Sequence, residues 1–257
     1  MRARPLFLVG EAVRRLGDVR RLDRRTWLLL TAASALIAAN WVIYVYAVNN
    51  GHVVDAALGY FINPLVSIAL GLVVFRERLN RWQLSALVIA VVAVVVLTIN
   101  VGAPPVIGLG LALSFGMYGA VKKSVSTDPR VSVGIEAGLA TPFALAYVGV
   151  TTAAGHATFT GHGGTHVVLM ILAGVLTALP LLLFAAAAQR LAMVSLGLLF
   201  YMTPAMQLSW GVLVGPEPMP PARWLGFALI WLALAVFTVD AVRRARHDRR
   251  TAHTAAV

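Results

Sequence analysis

Apolar positions in this chain come in long unbroken runs, not in the stripes or alternations of a water-soluble fold. Eight runs stand out, at about residues 26–48, 54–75, 82–99, 106–121, 132–150, 167–189, 193–214 and 222–240. Roughly 20 predominantly apolar residues in a helix cross ~30 Å of hydrocarbon. The third run contains LVIAVVAVVVLTI, Leu87–Ile99, whose β-branched residues favour strands in water. In lipid every N–H and C=O must be bonded within the segment, so helix wins there too. The pattern predicts an all-α membrane protein of about eight transmembrane helices, with no room for a soluble domain.

Composition agrees: 60% of residues are hydrophobic and 12% are charged, against about a quarter charged in a soluble domain. The first 25 residues carry eight arginines and one short apolar piece, PLFLVG. That is no cleavable signal peptide, so the first span is expected to serve as the targeting signal. The absence of cysteine excludes disulfides and thiolate metal sites.

A net charge of +11 raises nucleic acid as a partner. Membrane orientation accounts for it better, because basic residues gather in cytoplasmic loops. With the N-terminus in the cytoplasm, the inner segments hold the arginines up to Arg25, then Arg76, Arg78, Arg81, Lys122, Lys123, Arg130, Arg190 and the tail RRARHDRR. The outer loops hold only Arg223, so 20 of 21 basic residues share one side. This predicts both termini in the cytoplasm, a multi-pass protein of the cell membrane, and no nucleic-acid partner.

The segment YFINPLVSIALGLVVFRERLNR, Tyr60–Arg81, has a later counterpart in FYMTPAMQLSWGVLVGPEPMPP, Phe200–Pro221. Pro64, Gly71 and Glu77 recur as Pro204, Gly211 and Glu217, each 140 residues on, and residues 31–98 align with 171–238 without a gap. The displacement is five spans, an odd number, so the second copy runs the opposite way through the membrane. Arg76, Arg78 and Arg81 face the cytoplasm in the first copy. Their counterparts face outward and are Pro216, Pro218 and Pro221. Inverted repeats are a signature of secondary transporters.

The expected organisation is a basic cytoplasmic segment at 1–25, an incomplete first repeat of three spans at 26–99, a second repeat of five spans at 100–242, and a basic cytoplasmic tail at 243–257. Two spans precede the matched part of the second copy and none precedes that of the first. The first copy is thus expected to lack the first two spans of a ten-helix arrangement. PLFLVGEAVRRLGDVRRL is then either the end of a lost helix or an amphipathic interfacial segment. A homodimer or another partner is one way to complete such a pathway.

The strings NWVIYVYAVNNGHVVDAALGYFINPL, FRERL, ALSFGMYGAVKK, GVLTALPLLLFAAAAQRL and GFALIWLALAVFTVD closely resemble the RarD group of EamA-type transporters, in the drug/metabolite transporter superfamily. The resemblance covers nearly all of residues 25–242. It implies ten spans in two inverted five-helix halves and the role of an inner-membrane permease. The family name carries an association with chloramphenicol sensitivity, and most of its substrates are unassigned.

Polar groups within spans are costly and so are candidates for function. Asn40 and Tyr44 share a helical face, as do Ser114 and Tyr118. Tyr60, Asn63, Ser67 and Gly71 form a stripe that the second copy repeats as Phe200, Thr203, Gln207 and Gly211. As a set these suit a substrate pathway; singly, each could be a bond between helices. Pro64, Pro180 and Pro204 interrupt helix ladders and are expected to bend them. Carboxyl groups removed from water favour their neutral form. Glu136, inside the fifth span, is therefore the candidate for proton coupling or for binding a substrate amine; an interfacial carboxylate reaching water is the plainer reading. Asp55 reads as a helix N-terminal charge, and Glu77 and Glu217 as capping or positioning acids. Trp41, Tyr44 and Tyr46 could stack on an aromatic or cationic substrate. Trp210, Trp224 and Trp231 read as packing or interfacial anchors. His156, His162 and His166 lack metal-site spacing and carboxylate support, so no metal is expected.

The leading reading is a secondary permease of small metabolites or drugs, working by alternating access, with the bilayer, an unknown small substrate and a proton as its partners and no cofactor. A non-transporting or truncated membrane subunit is the alternative. An intramembrane enzyme is disfavoured, because no nucleophile–base pairing gathers at one interface. No Walker motif is present.

Overall fold

The computed structural model describes residues 19, 22–101, 106–155, 163–203, 206 and 221–254. Every regular element among them is a helix: α1 (Arg24–Asn49), α2 (Val53–Val73), α3 (Arg81–Val101), α4 (Val106–Ser124), α5 (Pro129–Ala153), α6 (Gly164–Arg190), α7 (Met193–Phe200) and α8 (Pro221–Thr254). The helices follow the apolar runs closely. The exceptions are the eighth run, past which α8 continues to Thr254, and the seventh, of which Pro204, Gln207, Trp210 and Gly211 lie outside the described residues, as does Glu217 after it.

Among the described residues, five helices are long and apolar enough to cross a membrane: α1, α2 from Asp55, α3 to Ile99, α5 and α6. Helix α4 has 19 residues with Lys122 and Lys123 in its last turn, and the apolar part of α8, Trp224–Asp240, is shorter than a full span. Pro64 and Pro180 lie inside the continuous helices α2 and α6. So does Pro142 in α5, an interior proline that the sequence reading passed over.

Local chemistry fixes several helix starts. Asp23 accepts from the Thr26 N–H at 3.2 Å, and the Thr26 side chain and N–H hold its carboxyl below the usual range. At α3, Asn80 Oδ1 accepts from the Gln83 N–H at 2.7 Å while Gln83 Oε1 accepts from the Asn80 N–H at 3.1 Å. This reciprocal capping box stops the apolar helix from starting earlier. At α5, Pro129 takes the first turn and Asp128 accepts from the Arg130 N–H at 2.8 Å.

The chain divides into two compact units. One comprises Val121–Arg190 with the chain up to Ala38. Its core is Leu30, Val125, Val131 and Ile135. Much of its apolar surface points outward, including Phe143, Leu145, Val150, Ile171, Val175 and Leu183. Water would penalise that surface, whereas lipid tails are as apolar as the side chains themselves.

The other unit comprises Ala39–Ala120 and Leu191–Val257. Here α3 and α8 pack through small residues, with Ala86, Ala90 and Ala93 in one cluster with Ile230, Ala233 and Phe237. A Cβ added at Gly226 would meet Leu97 at 2.6 Å. Beyond that seam, Asn80 Nδ2 donates to both carboxylate oxygens of Asp240 at 2.9 Å, and the Arg243 guanidinium lies 5.4 Å from the Trp82 ring. Asp240 escaped the sequence reading because it closes an apolar run just before a basic tail, where a charge looks solvated; it is 4% exposed. Asp240→Ala is expected to destabilise the chain by about 2 kcal/mol, the worth of a hydrogen bond to a charged group. Unfolding of the purified protein in detergent measures it.

Candidate functional site

Helix α2 is the polar axis of the second unit. Glycines bring its neighbours close. A Cβ at Gly108 would stand 2.9 Å from the Asp55 carbonyl, one at Gly116 would meet Val66 at 2.6 Å, and one at Gly197 would meet the Pro64 carbonyl at 2.8 Å and Ser67 Cβ at 3.1 Å. Thus α4 crosses α2 on one side and α7 on another. Where α7 crosses, Ser67 is 1% exposed and Tyr201, one turn beyond Gly197, is fully buried. Yet Ser67 Oγ, Tyr201 OH and Asn63 Oδ1 find no hydrogen-bond partner among the described residues. Nearly all buried polar groups are bonded, and leaving one unmade costs about 1–3 kcal/mol. Three such groups, two on α2 and one just beyond α7, mark a place where the fold gives up stability.

The other members of the predicted set divide. Asn40 and Ser114 come together: Asn40 Nδ2 donates to Ser114 Oγ and to the Leu111 carbonyl, both at 2.9 Å. They bond α1 to α4. Tyr118 is fully buried, with its ring 5.9 Å from Phe115, which in turn meets Phe200 edge-on at 5.7 Å. Tyr44 sits edge-on to Trp41 at 6.3 Å, and its phenol interacts with that of Tyr60. Thr203 is helical and exposed. Gln207 and Pro204 lie outside the described residues. Tyr201 was missed by the sequence reading. Its signal was a phenol in an apolar run, four residues from a glycine.

The first unit holds a buried charge pair. Lys122 Nζ donates to Glu136 Oε1 at 2.5 Å and to Ser132 Oγ, and Ser34 Oγ donates to the Glu136 backbone carbonyl at 3.0 Å. Lys122 and Ser132 are 0% exposed and Glu136 is 5% exposed. Two expectations change. Lys122 is not a cytoplasmic loop charge but a buried side chain in the last turn of α4. Glu136, whose plainer reading was an interfacial carboxylate reaching water, is buried and paired with Lys122 of α4. The signal was in the spacing: Lys122 and Ser132 are equidistant from Thr127, the middle of a short connection that brings the two side chains together. A buried lysine and carboxylate with a hydroxyl beside them can pass a proton, or exchange one charge for that of a ligand.

Asp55 lies in the first turn of α2 and pairs with His52 at 3.1 Å. No group of three or more His, Cys, Asp or Glu side chains that could hold a metal occurs among the described residues. His166 begins α6, while His156 and His162 lie outside the described residues. Trp224 and Trp231 are exposed on α8.

Comparison with known proteins bears on the site as a whole. The model of the EamA-like transporter family matches residues 6–99. Protein RarD of Streptomyces exfoliatus is 47% identical over 247 residues, covering 95% of this chain and 78% of the relative. The uncharacterized transporter YojE of Bacillus subtilis is 41% identical over 241 residues, covering 90% of this chain and 78% of that one. Among solved structures, one titled only "Crystal structure of protein" superposes with a TM-score of 0.61 at 18% identity, over 90% of this chain and 83% of the other, a likeness of fold alone.

Proposed function

The chain belongs to the RarD group of the EamA-like transporter family, a membrane transporter of the drug/metabolite superfamily, and from that premise we propose that it is a secondary permease for small amphipathic metabolites or drugs. It works by alternating access in the cell membrane, with both termini cytoplasmic, as the one-sided distribution of basic residues supports. The observation that carries the reading is the set of buried polar atoms, on α2 and just beyond α7, that find no partner among the described residues. Asn63 Oδ1 accepts, while the hydroxyls of Ser67 and Tyr201 donate or accept. With Tyr44, Tyr60 and Phe200 as aromatic neighbours, they suit an uncharged polar group on a flat apolar body. Tyr118, Thr203 and Gln207 belong to the same pathway in this reading, and Asn40 and Ser114 hold its wall.

Proton coupling runs through the Lys122–Glu136 pair. A proton arriving at Glu136 neutralises the carboxylate and releases Lys122, so the ion pair no longer ties the end of α4 to α5. Pro64, Pro180 and Pro204 serve as the bends about which helices tilt. A homodimer is compatible with the wide apolar surface of α5 and α6.

The test is flux. Pure protein in sealed vesicles is given labelled chloramphenicol, chosen because the family is associated with sensitivity to it, and a set of labelled metabolites. The expected result is a protein-dependent rate, for at least one of them, that Ser67→Ala lowers. Equal rates with and without protein would favour a non-transporting subunit.

A further inference from the structure

Helix α7 begins without a cap of its own. Its N-cap residue is Ala192, which has no side-chain oxygen to accept from the first turn. The acceptor comes from far away in sequence. The N–H groups of Met193 and Val194 donate to Oε1 and Oε2 of Glu77 at 2.8 and 2.9 Å, across 116 and 117 residues.

Three features at the end of α2 aim that carboxylate. Arg76 adopts a φ of 53°, the one non-glycine in the left-handed region among the described residues. An L side chain there is strained, and such strain persists only where surrounding contacts enforce it. The Glu77 N–H donates to the Gly71 carbonyl at 3.0 Å, which turns the chain back along α2. Gly71 leaves the room: a Cβ there would stand 2.9 Å from Glu77 Oε2 and 3.1 Å from Met193 Cβ.

We propose that Glu77 is a positioning residue for transport, whose carboxylate ties the end of α2 to the start of α7 and holds the pathway closed at that face. The inference rests on the alternating-access reading. Helices α2 and α7 are antiparallel: Glu77 meets Met193 at one end, and Ser67 meets Gly197 further in. The two helices joined by this tie therefore carry Ser67, whose hydroxyl has no partner among the described residues, and lead to Tyr201. Separating them at the Glu77 end breaks two hydrogen bonds to a carboxylate and uncovers the positive end of α7. An ordinary cap would stabilise α7 equally in every state. A latch stabilises only the state closed at that face.

The chain has no cysteine, so Ser67→Cys gives a lone reporter. In vesicles of known orientation, a membrane-impermeant maleimide is applied at the face bearing Glu77. Glu77→Ala is expected to raise labelling at that face at least fivefold. Ala192→Asp, added to Glu77→Ala, supplies a local cap. It is expected to restore thermal stability while labelling stays high. If Ala192→Asp restores both, or Glu77→Ala leaves labelling unchanged, Glu77 is a cap only and the latch is overturned. If Ser67→Cys is unreached from both faces in every folded variant, the alternating-access reading itself fails. Should Glu77→Ala not fold, Glu77→Gln, which keeps one acceptor, is expected to give intermediate labelling, and reference-level labelling there counts against the latch.

Discussion

Lys122→Met is expected to destabilise the chain by about 3–5 kcal/mol, because it leaves a buried carboxylate without its counter-charge. Glu136 is 5% exposed and also lies within hydrogen-bond reach of Ser132 Oγ. The double variant Lys122→Met, Glu136→Leu removes both charges and fills the space with apolar atoms, so its stability is expected within about 1 kcal/mol of the parent, as when other buried pairs are replaced by apolar residues. Transport separates the two outcomes. If the pair couples protons, the double variant folds but no longer accumulates substrate against a gradient, and a protonophore has no further effect on it. Glu136→Gln is expected to lose accumulation in the same way. Unfolding in detergent, with uptake measured with and without protonophore, reads both quantities. A double variant that is stable and still proton-driven would make the pair purely structural.

Tyr201→Phe carries the opposite sign. Deleting a hydroxyl usually weakens a protein when that hydroxyl is bonded. Here it has no partner among the described residues, so its removal lifts a desolvation penalty. The variant is expected to be about 1–3 kcal/mol more stable than the parent. If the hydroxyl belongs to the pathway, transport falls at least tenfold, equivalent to about 1.4 kcal/mol of lost interaction with the passing solute. Ser67→Ala is expected to behave alike, with a smaller gain. A stabilised variant with unchanged flux would remove Tyr201 from the pathway. Stability given up at a working site is a familiar exchange, since stabilising changes there tend to cost function.

Much of the fold was legible because lipid simplifies the code. With backbone bonds forced inside each segment, run length alone predicts helices, and the helices agree with the apolar runs to within a few residues at most ends. The site was less legible, because pairing between helices does not show in one sequence window. Asn40 and Ser114 stand out in the sequence as polar positions within spans, but only their mutual hydrogen bond identifies them as a joint between α1 and α4. Lys122 looked like one more basic loop residue, because the positive-inside pattern absorbs any lysine near a span end. Its burial depends on the short 125–128 connection, which brings it against Ser132 and Glu136. Glu77 was read as a capping acid and caps a helix more than 100 residues away, a partner that the matched position Glu217 did not reveal. Tyr201 and Asp240 sat inside or at the edge of apolar runs, where one polar atom hardly changes the pattern.

The central claim is that this chain moves a small solute across a membrane along the polar face shared by α2 and α7. The measurement that tests it most directly is uptake from a complex mixture. Sealed vesicles containing the purified chain, the Tyr201→Phe variant or no protein are incubated in a bacterial metabolite extract under an imposed proton gradient. Their contents are then compared by mass spectrometry. The account predicts a small number of compounds enriched in vesicles with the parent chain, lost on adding protonophore, and depleted in the Tyr201→Phe vesicles. Identical contents in all three preparations, with the protein folded and inserted, would contradict it.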